Sequence, residues 1–173
     1  MYSGKSEELL RRLRRAEIAG YSVAVVKPFI DDRYNTDRVT SHAGSYRDAI
    51  VVENPYDIKL NTIAYSVVGV DEVQFFPGEE IIRILNEMTR TKVVIATGLD
   101  QTFRGEPFGA VPQLMALADK VDKLTAVCHS CGADATKTQR LVDGKPAPAA
   151  GSTIQVGGMD AYEARCRDCW RLG

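Results

Sequence analysis

Three short apolar runs constrain this chain more than anything else in it: YSVAVVK at 21–27, IAYSVVGV at 63–70 and KVVIAT at 92–97. The first is a β-branched run closed by Pro28, and the second runs unbroken to Asp71, as a strand buried in a parallel sheet would. Helical spacing fills the intervals. Residues 6–19, SEELLRRLRRAEIA, put Leu9, Leu13 and Ala16 on one face, and Gly20 is placed to end the helix. Residues 78–90 carry Ile81, Ile82, Leu85 and Met88 on one stripe. A further helix is expected near 109–119, with Val111, Leu114, Met115 and Ala118. Short strands are expected at Ala49–Glu53 and Leu124–Val127. Strand alternates with helix, which predicts an α/β core with a parallel sheet. The polar stretch 31–48 reads as a loop or lid, and KPAPAAGS at 145–152 as a mobile turn.

A length of 173 residues fits one core domain with room for a small appendage. The net charge of −1 argues against duplex nucleic acid as the main partner, since such domains carry a basic excess. Arg11, Arg12, Arg14 and Arg15 read as a solvated helix face partly paired with Glu7, Glu8 and Glu17. No apolar run is long enough to span a bilayer, and the N-terminus lacks a signal-peptide core, so the expected location is the cytoplasm and no membrane is expected as a partner.

Gly4-Lys5-Ser6 supplies the last three residues of the nucleotide loop G-x-x-x-x-G-K-[ST] and leads straight into the first helix. Backbone N–H groups and a helix N-terminus attract phosphate oxygens. Lys5 would reach the β- and γ-phosphates and Ser6 would bind Mg²⁺. The tripeptide alone could equally be a turn in which Ser6 caps the helix. The motif's first glycine would fall two residues before Met1, so the strand that feeds such a loop is expected upstream of this sequence. Asp71-Glu72 shifts the balance toward phosphate chemistry. An acid at the end of a buried strand is the second half of a P-loop site, and ligands of parallel sheets sit at the carboxyl ends of strands.

Cys128-x-x-Cys131 and Cys166-x-x-Cys169 form a four-thiolate set. Two such pairs can hold one tetrahedral ion, and thiolates favour Zn²⁺ in a structural role. Two disulfides or four buried thiols are the competing readings, and a reducing compartment favours metal. His129 lies inside the first pair but is surplus to a four-cysteine site. His42 has no evident partner in the sequence.

Several motifs then line up in order: MYSGKS, DDRY (31–34), DEVQFF (71–76), GLDQTFRGEPFG (98–109), KLTAVC (123–128), TQRL (138–141), VGG (156–158) and YEARCRDC (162–169). Together they resemble the type II, cytosolic-type thymidine kinase family over nearly the whole chain. The resemblance implies a RecA-like P-loop core, residues 1–127, and a small zinc-bearing lasso domain, residues 128–173. It implies transfer of the ATP γ-phosphate to the 5′-hydroxyl of thymidine, a homotetramer, and feedback inhibition by thymidine triphosphate. Glu72 matches the family's catalytic base, a carboxylate able to accept the hydroxyl proton. Asp71 then serves the Mg²⁺ side. Ser3, Gly4, Lys5, Ser6, Asp31, Arg33 and Gln74 match positions on the phosphate side, where an Arg would offset charge on the transferring group. Met1, Leu99, Phe103, Phe108, Thr138 and Tyr162 match positions around thymine and sugar, and Gln155, Val156, Gly157 and Gly158 match the segment whose backbone reads the base. Phe103 and Phe108 could otherwise simply pack beneath their loop.

Two rival readings stay open at this point. One is a P-loop kinase of another deoxynucleoside, such as deoxyuridine. The other is a non-catalytic zinc-ribbon module that only binds nucleotide, for which a basic excess and stacking aromatics on an exposed strand would be expected.

Overall fold

The computed structural model describes residues 1–29, 38–40, 46–154 and 161–173. The chain divides into two compact units: a core unit of Gly4–Leu99 and Gly109–Val121, and a cysteine unit of Met1–Ser3, Asp100–Phe108 and Asp122–Gly173. No helix among the described residues is long and apolar enough to cross a membrane.

The core unit opens with α1 (Lys5–Ile18), which buries Leu9 and Leu13 completely, one turn apart on the same face. Glu7 and Glu8 in its first turn and Arg15 in its last complement the helix dipole. The helix ends as its sequence demands. Gly20 takes φ 85°, its N–H reaches the Glu17 carbonyl at 2.8 Å, and the Tyr21 N–H reaches Ala16 at 3.0 Å. Then come β1 (Val23–Pro28), β2 (Arg38–Thr40), β3 (Tyr46–Asp48), β4 (Ile50–Val52), α2 (Pro55–Asn61), β5 (Val67–Val70), α3 (Gly78–Met88), β6 (Val93–Ala96) and α4 (Val111–Leu117).

Four strands form one sheet in the order β4-β1-β5-β6, all parallel. Every residue of β5 is buried. Val68 and Val70 join a cluster with Ile58 of α2 and Ile81, Ile84, Leu85 and Met88 of α3. Val67 packs instead with Leu9 and Leu13 of α1. The two faces alternate along the strand, as the pleat requires. Gly69 falls on the α1 side, where a Cβ would stand 2.9 Å from Leu9 Cδ1, so a larger residue would have to displace the buried leucines of α1.

Several expectations change here. The buried stripe of α3 contains Ile84 where Ile82 was expected; Ile82 is only partly buried. Residues 55–61, given no element from the sequence, form α2. It starts where Asn54 Oδ1 accepts the Asp57 N–H at 3.2 Å and Pro55 occupies the first turn. Within the expected 31–48 loop, β2 and β3 pair antiparallel.

The cysteine unit is built from β7 (Ala126–Val127), β8 (Asp134–Ala135), β9 (Lys137–Val142), β10 (Lys145–Pro146) and β11 (Tyr162–Arg165). The run at Leu124–Val127 does not extend the parallel sheet. Only Ala126–Val127 of it is strand, and this β7 pairs antiparallel with β8. β9 lies between β10 and β11, antiparallel to both. Part of the expected turn at 145–152 is therefore strand, and Ala147 behind it is buried. The buried Gln139 side chain holds the C-terminal segment, donating to the Arg171 carbonyl at 2.8 Å and accepting the Arg171 N–H at 2.9 Å.

Candidate active site

The glycine-lysine-serine turn and the acid pair meet at the carboxyl end of the core sheet. Gly4 takes φ 76°, a left-handed conformation that suits glycine, and its carbonyl accepts the Glu8 N–H at 2.9 Å. Lys5 and Ser6 form the first residues of α1. Ser6 does not cap the helix. Its Oγ donates to Asp71 Oδ2 at 2.9 Å, across 65 residues of sequence. Asp71 is buried and continues β5, its N–H bonded to the Val26 carbonyl at 2.9 Å. Its other oxygen accepts from Thr97 Oγ1 at 2.5 Å and from the Glu72 N–H at 3.0 Å. Three donors thus fix the carboxylate beside Ser6. A hydroxyl and a carboxylate held together are hard oxygen ligands of the kind Mg²⁺ accepts.

Glu72 follows with φ 53° and ψ 42°, a left-handed conformation that costs a non-glycine residue about 1–2 kcal/mol. Gln74 Nε2 donates to Glu72 Oε2, while Gln74 Oε1 accepts the Leu99 N–H at 3.0 Å. Desolvation raises the Glu72 pKa above the ordinary carboxylate value and the nearby Asp71 charge adds to the rise, with Lys5 and the Gln74 amide pulling the other way. A carboxylate with a raised pKa beside a lysine at a helix N-terminus has the character of a proton acceptor in phosphoryl chemistry.

In the cysteine unit, all four Sγ atoms of Cys128, Cys131, Cys166 and Cys169 lie within 4.8 Å of one another. Sulfurs placed about 2.3 Å from one tetrahedral ion stand about 3.8 Å apart, and Cys131 and Cys166 Sγ are 3.7 Å apart. All four are free thiols. Burial works against the Cys128 thiolate, yet backbone hydrogen bonds from Cys166, Ser130 and Cys131 bring it down to about 6. The Ala133 backbone lowers Cys131, but its three sulfur neighbours outweigh it and push it up to about 12. Sulfurs this crowded cannot all carry charge without a cation, so the donor set fits a bound metal ion.

The same unit holds most residues matched to the nucleoside. Phe103 is buried, its ring flanked by the guanidinium groups of Arg104 at 4.6 Å and Arg140 at 5.1 Å, and its carbonyl accepts Trp170 Nε1 at 3.2 Å. Thr138 and Tyr162 are buried on the adjacent strands β9 and β11, with Thr138 Oγ1 3.2 Å from the Met1 nitrogen. Phe108 is half-buried, and its N–H reaches the Asp100 carbonyl at 3.1 Å. Leu99 belongs to the core unit.

A family model described as thymidine kinase matches residues 1–170. The chain belongs to the thymidine kinase family. A thymidine kinase of Coprothermobacter proteolyticus is 52% identical over 166 residues, 96% of this chain and 84% of the relative. One of Halobacterium salinarum is 50% identical over 174 aligned residues, 98% of this chain and 89% of the relative. Membership makes the chain an ATP-dependent phosphotransferase.

Asp31, Arg33, His42, Gln155, Val156, Gly157 and Gly158 lie outside the described residues. Other site residues escaped the sequence. Thr97 was legible in principle, because β5 and β6 run parallel with Val70 opposite Ala96, which sets Thr97 beside Asp71. Gly98 and Gly109 crowd Gln74: a Cβ on the first would stand 2.7 Å from its Oε1, and on the second 2.7 Å from its backbone oxygen. Arg104 grips residues 149–153, with Nε on the Ala149 carbonyl at 2.5 Å, one terminal nitrogen on Thr153 Oγ1 at 2.7 Å and the other on the Gly151 carbonyl at 2.6 Å. Nothing in a single sequence pairs an arginine with carbonyls so far along the chain.

Proposed function

We propose that the chain transfers the γ-phosphate of ATP to the 5′-hydroxyl of thymidine, giving thymidine monophosphate, with Glu72 as general base. The observation that carries this reading is Glu72 itself. It sits at the carboxyl end of β5, next to an aspartate bonded to the serine of a glycine-lysine-serine turn, and its pKa is raised.

In the proposed step the nucleoside O–H bond breaks and its proton passes to the Glu72 carboxylate. A bond forms between that oxygen and the γ-phosphorus, the bond to the bridging oxygen breaks, and ADP leaves. Lys5 and the backbone of Ser3 to Ser6 bind the β- and γ-phosphates, Asp31 and Arg33 serve the phosphate side, and the Arg33 guanidinium offsets charge on the transferring group. Ser6 and Asp71 would hold Mg²⁺, which neutralises charge on the two phosphates. Met1, Leu99, Phe103, Phe108, Thr138 and Tyr162 contact thymine and sugar, and Gln155 to Gly158 read the base through the backbone. Residues 1–127 serve the nucleotide and 128–173 form the lasso. Cys128, Cys131, Cys166 and Cys169 would bind one structural Zn²⁺. The protein works in the cytoplasm as a homotetramer restrained by thymidine triphosphate.

The test is direct. With γ-labelled ATP offered alongside thymidine, deoxyuridine, deoxycytidine and deoxyguanosine, label should appear on thymidine. Label on none of them overturns the kinase reading, and label on deoxyuridine in preference to thymidine corrects the substrate.

A further inference from the structure

We infer that Gln74 is a positioning residue that holds the Glu72 carboxylate in register with the Gly98-Leu99 backbone, and so acts on phosphoryl transfer through Glu72 rather than by binding nucleotide. The inference rests on the reading of Glu72 as the base. It departs from the phosphate-side role that the family resemblance implies for Gln74.

The argument begins with a fixed donor. The Leu99 backbone N–H can only donate, so the atom of Gln74 that faces it at 3.0 Å must be the amide oxygen. That settles the orientation of the amide, and its nitrogen then faces Glu72 Oε2, to which it can only donate. The side chain is buried, 4% exposed. It is also locked at both ends. Gly98 leaves room for Oε1 and Gly109 for the Gln74 carbonyl, and a Cβ at either position would come within 2.7 Å. Val73, between Glu72 and Gln74, is tied by its N–H to the Thr97 carbonyl at 3.0 Å. The short turn 73–75 is thereby joined to the end of β6 by one main-chain and one side-chain bond. Glu72 has a left-handed backbone and no side-chain capping bond, so Gln74 is the polar side chain seen to restrain its carboxylate. An amide held this way has spent its acceptor on Leu99 and turned its nitrogen to Glu72.

The test uses the full chain in single-turnover transfer from γ-labelled ATP to thymidine, with ATP affinity measured separately by titration. Gln74→Met keeps the shape and removes both bonds. Gln74→Glu keeps an acceptor for the Leu99 N–H and replaces the amide donor with a second carboxyl group, which can meet Glu72 only by sharing a proton with it. Both variants should lose about 10- to 100-fold in kcat, with ATP affinity within about 2-fold of the unmodified chain. In a Glu72→Gln background, adding Gln74→Met should change the residual rate by less than about 2-fold, because residues that act as one unit are not additive. Loss of ATP affinity in parallel with kcat would overturn the inference in favour of a phosphate contact. Full activity in Gln74→Glu would reduce Gln74 to a prop for Leu99, and losses that multiply in the double variant would mean it acts independently of Glu72. Undiminished turnover in Glu72→Gln alone is a different failure: it removes the base itself, whatever Gln74 does.

Discussion

The two units of this chain solve the problem of stability differently. The principal cluster of the core unit is dominated by valine, isoleucine, leucine, methionine and phenylalanine, with one alanine, Ala110, and is buried between a parallel sheet, the helices α2 and α3 and the start of α4. The cysteine unit's cluster contains three alanines and two cysteines, Ala126, Ala135, Ala164, Cys128 and Cys166. Burying a methyl group contributes only about 0.8 kcal/mol. Phe103, Ala147 and Tyr162 add buried area elsewhere in the unit, but its cluster of small side chains does little to offset the entropy of ordering several short strands, and the proposed metal ion would tie the two cysteine pairs together. On the proposed reading, one unit is held by apolar area and the other relies in addition on ligation.

Metal removal should expose that difference most strongly, since apparent binding energies of structural zinc sites run to about 10–16 kcal/mol. Trp170 is the chain's only tryptophan, and its indole N–H bonds to Phe103 within the cysteine unit. A strong chelator should therefore shift tryptophan fluorescence while the far-ultraviolet helical signal of α1 and α3 persists. Loss of both signals in one transition would break the comparison. The reverse experiment is truncation in the core. Ile84 is fully buried in the cluster it shares with residues of β5 and α2, and Ile84→Ala should cost about 2–5 kcal/mol in denaturant melts followed by helical signal.

The smallest effect concerns the surface of α1. Glu8 accepts from Arg11 at 2.6 Å and Arg12 at 2.8 Å, and these hydrogen bonds hold its pKa down to about 2 against an ordinary 4.5. A carboxylate lowered on folding contributes its stability above the ordinary value and loses it as pH falls from about 4.5 toward 2. The pair is partly solvated, so the expected contribution is below about 1 kcal/mol. Comparing the pH dependence of melting in Glu8→Gln and the unmodified chain checks it: the two curves should converge at the acid end of that window.

What could be read from the sequence follows from the range of each signal. The strands β1, β4 and β6, α1 and its glycine stop are local patterns, and they stand where expected, whereas of the apolar run 63–70 only Val67–Val70 is strand and Ile63 lies exposed in the turn before it. Ser6 and Asp71 are also local motifs, although their contact spans 65 residues. The failures are failures of partnership. Leu124–Val127 is apolar enough to be a strand, but a short apolar run does not say which strand it joins, and β7 joins β8. The α2 helix has one turn-setting pair, Asn54-Pro55, and too few apolar residues to show a period. Ile84 lies one turn before Met88 on α3 and competes with Ile82 for the buried stripe; the sheet beneath decides between them. The two partners of Gln74, Glu72 and a backbone N–H twenty-five residues on, are visible only in three dimensions.

The central claim rests on Glu72. The most direct measurement is the single-turnover rate of labelled phosphate transfer to thymidine by Glu72→Gln, with ATP binding titrated in the same preparation. The account predicts a loss of about 100- to 10,000-fold in rate with ATP binding retained. In the unmodified chain, the rate should fall on acidification with a midpoint above 4.5, as a base with a raised pKa takes up its proton. A Glu72→Gln protein that still transfers phosphate at the unmodified rate would contradict it.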